Sequence, residues 1–216
     1  MIDLEALDET MKLRCAGAHW LLRIGSSIHE DWFREESDVD YLLVLDDVSR
    51  QFIDEFPGRT SPSLPAKVSE HNSNFYWRLE AGTIDRHRVS VTIYSTLKFL
   101  EYCNARSPPK VYILHEHLLL LGSAEELETL RLACPPNRDT AIQDLQTLQN
   151  PRYEAIWPWG WRSVSIAQGG AWLKNKAAIE AYVEKNYPGR LHDKAFLIKT
   201  LTRLINEDIY KEAESR

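Results

Sequence analysis

The apolar positions of this chain change period near its middle. Up to about residue 122 they fall into short runs and alternations, and from Ala124 onward they recur every three or four residues. Leu4, Leu7, Met11 and Leu13 are spaced for one face of a helix, which predicts a helix over about residues 3–18 on the surface of a core. The next segment, His19-Trp20-Leu21-Leu22-Arg23-Ile24, is short, mostly apolar and halted by Gly25-Ser26-Ser27. That is how a buried strand entering a tight turn reads. After a polar stretch, Asp38-Val39-Asp40 leads directly into Tyr41-Leu42-Leu43-Val44-Leu45. This run lacks the alternation of a half-exposed strand, so it is expected at the centre of a sheet, covered on both faces, with the two acids at its start.

Residues 57–73 carry Pro57, Gly58, Pro62 and Pro65 among serines and read as a surface loop. Asn74 to Glu80 and His87 to Ser95 flank Ala81-Gly82-Thr83-Ile84-Asp85 as the arms of a hairpin, the second arm alternating Val89, Val91, Ile93 against Arg88, Ser90, Thr92, Tyr94. A helix near 96–105 and a strand Leu118 to Leu121, stopped by Gly122, complete an α/β part. Helical periods then fill 124–133, 138–149, 161–174, 176–186 and 191–210. The expected fold class is therefore α/β (α+β): a mixed sheet with flanking helices over residues 1–122, followed by an α-helical bundle over 123–216.

Composition narrows the function classes. Of 216 residues, 44% are hydrophobic and 27% charged, which suits a folded core. A formal net charge of −6 argues against a broad nucleic-acid or anionic-membrane surface. No stretch approaches the ~20 apolar residues of a membrane span. The acidic start Met1-Ile2-Asp3-Leu4-Glu5 is unlike a signal peptide, so a cytoplasmic location is expected. Cys15, Cys103 and Cys134 are odd in number and far apart, which fits reduced thiols rather than a disulfide scaffold or a metal knuckle.

Alternate residues of a strand share a face, so Asp38 and Asp40 point the same way with Cα atoms about 6.6 Å apart. Mg²⁺ (or Mn²⁺) prefers one or two protein carboxylates, several waters and phosphate oxygens, and two acids on one strand meet that need. The turn supplies the complement: at Gly25 the backbone can approach a phosphate closely, and the hydroxyls of Ser26 and Ser27 with the turn amides can donate to it. A Gly-Ser turn alone occurs in many folds, and Asp-x-Asp before a strand is often a solvated boundary. Their succession is more informative, because strand, turn, linker, acids and strand come in the order that brings turn and carboxylates together.

That succession resembles the nucleotidyltransferase superfamily that includes DNA polymerase beta and the aminoglycoside nucleotidyltransferases. In that family an apolar strand is followed by Gly-Ser, then about ten residues on by Asp-x-Asp, here Gly25-Ser26 and Ser37-Asp38-Val39-Asp40-Tyr41-Leu42-Leu43-Val44. Val89-Ser90-Val91-Thr92-Ile93-Tyr94 is similar to the family's third active-site strand. Lys174-Asn175-Lys176-Ala177-Ala178-Ile179-Glu180-Ala181-Tyr182, followed by Tyr187-Pro188, is similar to the lysine-bearing helix of the streptomycin/spectinomycin adenylyltransferases. The resemblance implies that Asp38 and Asp40 hold metal, that Gly25, Ser26, Ser27, Ser37 and Lys176 bind nucleotide, and that ATP or another nucleoside triphosphate is co-substrate. It also implies an acceptor that is a small hydroxylated or cationic molecule in preference to a protein or tRNA. One position departs from the pattern. Where the family carries a third carboxylate this chain has Ser90, a poor Mg²⁺ ligand that cannot take a proton unassisted at neutral pH. Asp85, His87, Glu70 and Glu80 are near in sequence, but none has the register to replace it. Two readings therefore stand: a nucleotidyltransferase, and a nucleotide-binding regulatory module without turnover.

Other residues carry bland readings beside functional ones. Lys176 at a helix start can bind phosphate or simply be solvated. His115 and His117, two apart on an expected strand face, have no further ligand at suitable spacing and are read as structural. Trp157, Trp159 and Trp161 can stack on a base, but core packing between the two halves is the preferred reading. Glu35 and Glu36 can attract a cationic acceptor or merely be solvated.

Overall fold

The computed structural model describes residues 3–29, 38–46, 76–84, 87–150 and 160–214. Five strands, β1 (Trp20–Ile24), β2 (Val39–Leu45), β3 (Tyr76–Ile84), β4 (His87–Ser95) and β5 (Leu118–Leu121), form one sheet in the order β3-β4-β2-β1-β5. β2 runs parallel to β4, and the other neighbours are antiparallel, so the sheet is mixed and the fold is α+β. The helices are α1 (Leu4–Arg14), α2 (Thr96–Asn104), α3 (Pro108–His115), α4 (Ala124–Ala133), α5 (Arg138–Gln149), α6 (Gly160–Ala167), α7 (Lys176–Asn186) and α8 (Lys194–Glu214). Among the described residues no helix is long and apolar enough to cross a membrane.

The chain forms two compact units, Met1–Ala105 with Ile113–Ala133, and Arg106–Tyr112 with Cys134–Arg216. The helix at 124–133, read from its period as part of the bundle, thus belongs with the sheet. Leu127 is its buried residue, and Glu126 Oε2 lies 3.4 Å from His19 Nε2 at the head of β1.

β2 is the middle strand, and Tyr41, Leu42, Leu43 and Val44 are fully buried, as its unbroken apolarity predicts. Its alternation divides the sheet into two faces. On one, Val39, Tyr41, Leu43 and Leu45 pack with Leu21, Val91 and Ile93 beneath Leu7, Met11 and Cys15 at α1. α1 starts where Asp3 Oδ1 accepts the Ala6 N–H at 3.0 Å, and it stops at Arg14 rather than 18 because residues 15–17 turn back toward β1. On the other face, Phe99 of α2 meets Trp20 and Tyr94, each with ring centroids 5.9 Å apart. The three cysteines are free and buried, and burial pushes the Cys15 thiol up to about 12, which makes it an inert core residue.

The α1 face holds a polar trio. The Tyr41 hydroxyl donates to Asp8 Oδ1 at 2.8 Å, while Arg23 Nη1 lies 3.0 Å from Asp8 Oδ2 but off its N–H axis, so that contact is ionic. Burial raises the Asp8 carboxyl above its ordinary value, opposed by the Tyr41 hydrogen bond and by Arg23.

Two helical expectations change. The helix read over 161–174 ends at Ala167, where Gly169 (φ +72°) takes the left-handed conformation. Gly170 N–H bonds Ser165 O at 2.8 Å and Gly169 N–H bonds Ile166 O at 2.9 Å, a Schellman cap that closes the helix. α3 lies where no helix was predicted, and its opening prolines suit a first turn that needs no N–H donors. His115 therefore closes a helix. His117 precedes β5 and donates from Nδ1 to Ile113 O at 2.8 Å, so the two histidines do not share a strand face.

In the helical unit, Trp161 is fully buried and donates from Nε1 to Leu191 O at 3.2 Å, which makes it a core residue of that unit. Trp157 and Trp159 lie outside the described residues. Asp144 accepts from Ser163 Oγ at 2.5 Å and from the Tyr112 hydroxyl at 3.0 Å, tying α5, α6 and residue 112 together.

The raised Asp8 carboxyl fixes the sign of a pH effect. Its contribution to stability is complete below the unfolded-state value and is lost as pH climbs through the folded-state value. Tyr41→Phe removes a donor to the ionised form, so it should cost about 1–3 kcal/mol. In urea melts the cost should be larger at about pH 7.5 than at about pH 4. Equal costs at both would contradict this account of the trio.

Candidate phosphate and metal site

β1 ends at Ile24, and Gly25–Ile28 forms one 3₁₀ turn. Gly25 has φ +74°, a conformation that a side chain disfavours. A second constraint is steric: a Cβ at this position would lie 2.9 Å from Asp40 Oδ2 and 3.6 Å from Asp40 Cγ. The cause is register. Asp40 opposes Ile24 across the β1–β2 pair, so its half-buried side chain packs on the backbone where β1 turns away. Turn and carboxylate are thus brought together, as the order of motifs predicts.

The serines of the turn divide their tasks. Ser27 is buried, and its hydroxyl donates to Ile24 O at 3.1 Å, so it closes the turn from within. Ser26 is half-buried, and its carbonyl accepts the His29 N–H at 3.1 Å. Ser37, Glu35, Glu36, Glu70 and Asp85 lie outside the described residues.

On the other side of β2 the parallel register pairs Asp40 with Ser90 and Val39 with Val89. Ser90 is 4% exposed, so the third-carboxylate position holds a buried neutral hydroxyl next to Asp40. One step further out, Arg88 Nε lies 3.0 Å from Asp38 Oδ1. Sequence reasoning placed Arg88 on the face of Ser90 but did not pair it with Asp38. The signal was the alternation of β4, and what it lacked was the partner strand and its direction.

Asp38, just before β2, and Asp40, within it, are two carboxylates of the hard-oxygen kind that Mg²⁺ takes together with phosphate oxygens and water. Among the described residues no group of three or more His, Cys, Asp or Glu is placed to hold a metal. Lys176 is placed on the helical unit. It is the first residue of α7, its Nζ is 3.6 Å from Glu180 Oε1, and Asn175 caps the helix by accepting the Ala178 N–H at 2.9 Å.

No family model and no curated protein matches this chain. Its structure is similar to that of a nucleotidyltransferase-like protein from Exiguobacterium sibiricum, over 95% of this chain and 76% of that chain, with 10% sequence identity and a TM-score of 0.37.

The closeness of residue 25 to Asp40 gives a direct test. Gly25→Ala combines a left-handed backbone with a clash at the carboxylate and should destabilise the fold by about 1–2 kcal/mol. The measurement is chemical denaturation beside wild type. A variant as stable as wild type would mean that the turn and Asp40 are not in contact.

Proposed function

We propose that this chain is a Mg²⁺-dependent (or Mn²⁺-dependent) nucleotidyltransferase that moves a nucleoside monophosphate, AMP from ATP, onto a hydroxyl of a small hydroxylated or cationic acceptor. The observation that carries the reading is the packing of Asp40 on the backbone of Gly25, which brings the Gly-Ser turn against a carboxylate at the start of β2. In this reading the turn amides and the Ser26 hydroxyl grip phosphate, Ser27 holds the turn closed, and Asp38 and Asp40 hold the ion. A bound divalent ion would supply neutralisation of the triphosphate charge. The acceptor hydroxyl attacks the α-phosphorus, the bond to the bridging oxygen breaks, and pyrophosphate leaves. Ser90 has no group that accepts a proton at neutral pH, so the acceptor's proton leaves to water and catalysis rests on positioning and charge.

A second reading is favoured by Ser90 and by the engagement of Asp38 with Arg88: a nucleotide-binding regulatory module that lacks turnover. Pyrophosphate release with labelled triphosphates and a panel of acceptors separates the two. Turnover that falls about 100-fold or more in Asp40→Asn supports the enzyme. Calorimetric binding of a non-hydrolysable triphosphate, lost in Asp40→Asn, with no pyrophosphate from wild type but some from Ser90→Glu, supports the module. Absence of nucleotide binding removes both.

A further inference from the structure

The parallel pairing of β2 with β4 puts Arg88 beside Asp38, one step outside the Val39–Val89 pair. Arg88 Nε is 3.0 Å from Asp38 Oδ1, with the Arg88 side chain 64% exposed and that of Asp38 29% exposed. Those exposures decide the character of the contact. An ion pair this open to water is held weakly and can change partners at little cost. Its two members also have other suitable partners. A carboxylate is a preferred ligand of Mg²⁺. A guanidinium is permanently charged, and its planar fork matches phosphate as well as it matches carboxylate. Asp38 Oδ1 cannot serve Arg88 and a divalent ion to the full at the same time, because the two cations repel each other at one oxygen.

We propose that Arg88 is a latch on Asp38 that exchanges carboxylate for phosphate. In the ligand-free chain the guanidinium occupies Asp38 and weakens its hold on a lone divalent ion. When ion and triphosphate arrive together, Asp38 turns to the ion and Arg88 takes up a phosphate of the same ligand. This rests on the triphosphate reading of the site. Arg88 then makes ion binding depend on nucleotide binding, and it does so from the strand on which the family pattern expects a carboxylate.

The latch requires two effects of opposite sign from one substitution. The first measurement is Mn²⁺ binding without nucleotide, followed by the paramagnetic resonance signal of the free ion. The second is calorimetry with a non-hydrolysable ATP analogue in the presence of Mg²⁺. Arg88→Gln should bind Mn²⁺ alone about two- to fivefold more tightly, because an exposed ion pair no longer competes. The same variant should bind the analogue about tenfold more weakly, through loss of a charged hydrogen bond to phosphate. Arg88→Lys keeps the charge and should return Mn²⁺ affinity most of the way to wild type. Unchanged affinities in Arg88→Gln, or a loss of both, would overturn the latch while the site reading stands on wild-type binding. A wild-type chain that binds neither Mn²⁺ nor the analogue would overturn both.

Discussion

A Cβ at residue 25 would lie 2.9 Å from Asp40 Oδ2, so the end of β1 and the start of β2 approach to a distance that only glycine permits. The spacing is set by antiparallel pairing, in which Ile24 faces Asp40 and the chain leaves the sheet at the next residue. From that contact the rest of the site follows. The carboxylate is half-buried beside a turn whose own polar groups are closed by Ser27, and the next strand over adds Ser90 and Arg88 in fixed register.

In the platform beneath, β2 alternates between two kinds of burial. Its odd residues, with Arg23 of β1, lie under α1, where Tyr41 and Arg23 share the Asp8 carboxylate. A charged group buried this way is costly unless it is paired, so α1 is held in one register over the sheet by the need to satisfy it. Its even residues, Leu42 and Val44, are fully buried toward the other face, and Asp40 is the point on that face where burial gives way. Asp40 thus emerges from a strand whose next five residues, Tyr41 to Leu45, are buried.

How much of this could be read from the sequence depended on how local each signal was. The central place of Tyr41 to Leu45 was legible because a strand covered on both faces needs no polar side, and the turn at Gly25 was legible because it follows a short apolar run. The end of α6 was missed although both glycines were visible, since the apolar period continues through Trp172 and Leu173 and outvoted Gly169-Gly170. α3 was not read because no helical period was assigned between residues 105 and 118, and its opening Pro108-Pro109 are compatible with a first turn that needs no N–H donors. In the site, the pairing of Asp40 with Gly25 was implied by motif order. That of Asp38 with Arg88 was not, because it depends on a parallel register between strands more than forty residues apart.

Ser90 and Arg88 are best considered together. A site with three carboxylates and two divalent ions carries a net charge of about +1 where a triphosphate is held. Here two aspartates and one arginine leave the strand ends at −1, and a single divalent ion brings them to the same +1. In the proposed reading, exchange of a carboxylate for Ser90 is therefore matched by the neighbouring guanidinium, and the electrostatic demand of a polyphosphate is met with one ion fewer. What the matching does not restore is a base beside the acceptor hydroxyl. In the proposed reading stabilisation of charge survives the substitution, whereas Ser90 itself supplies no base for the acceptor's proton. In the proposed reading binding and turnover therefore separate at this site: the first would depend on Gly25, Asp38, Asp40 and Arg88, and the second on what replaces a carboxylate at Ser90.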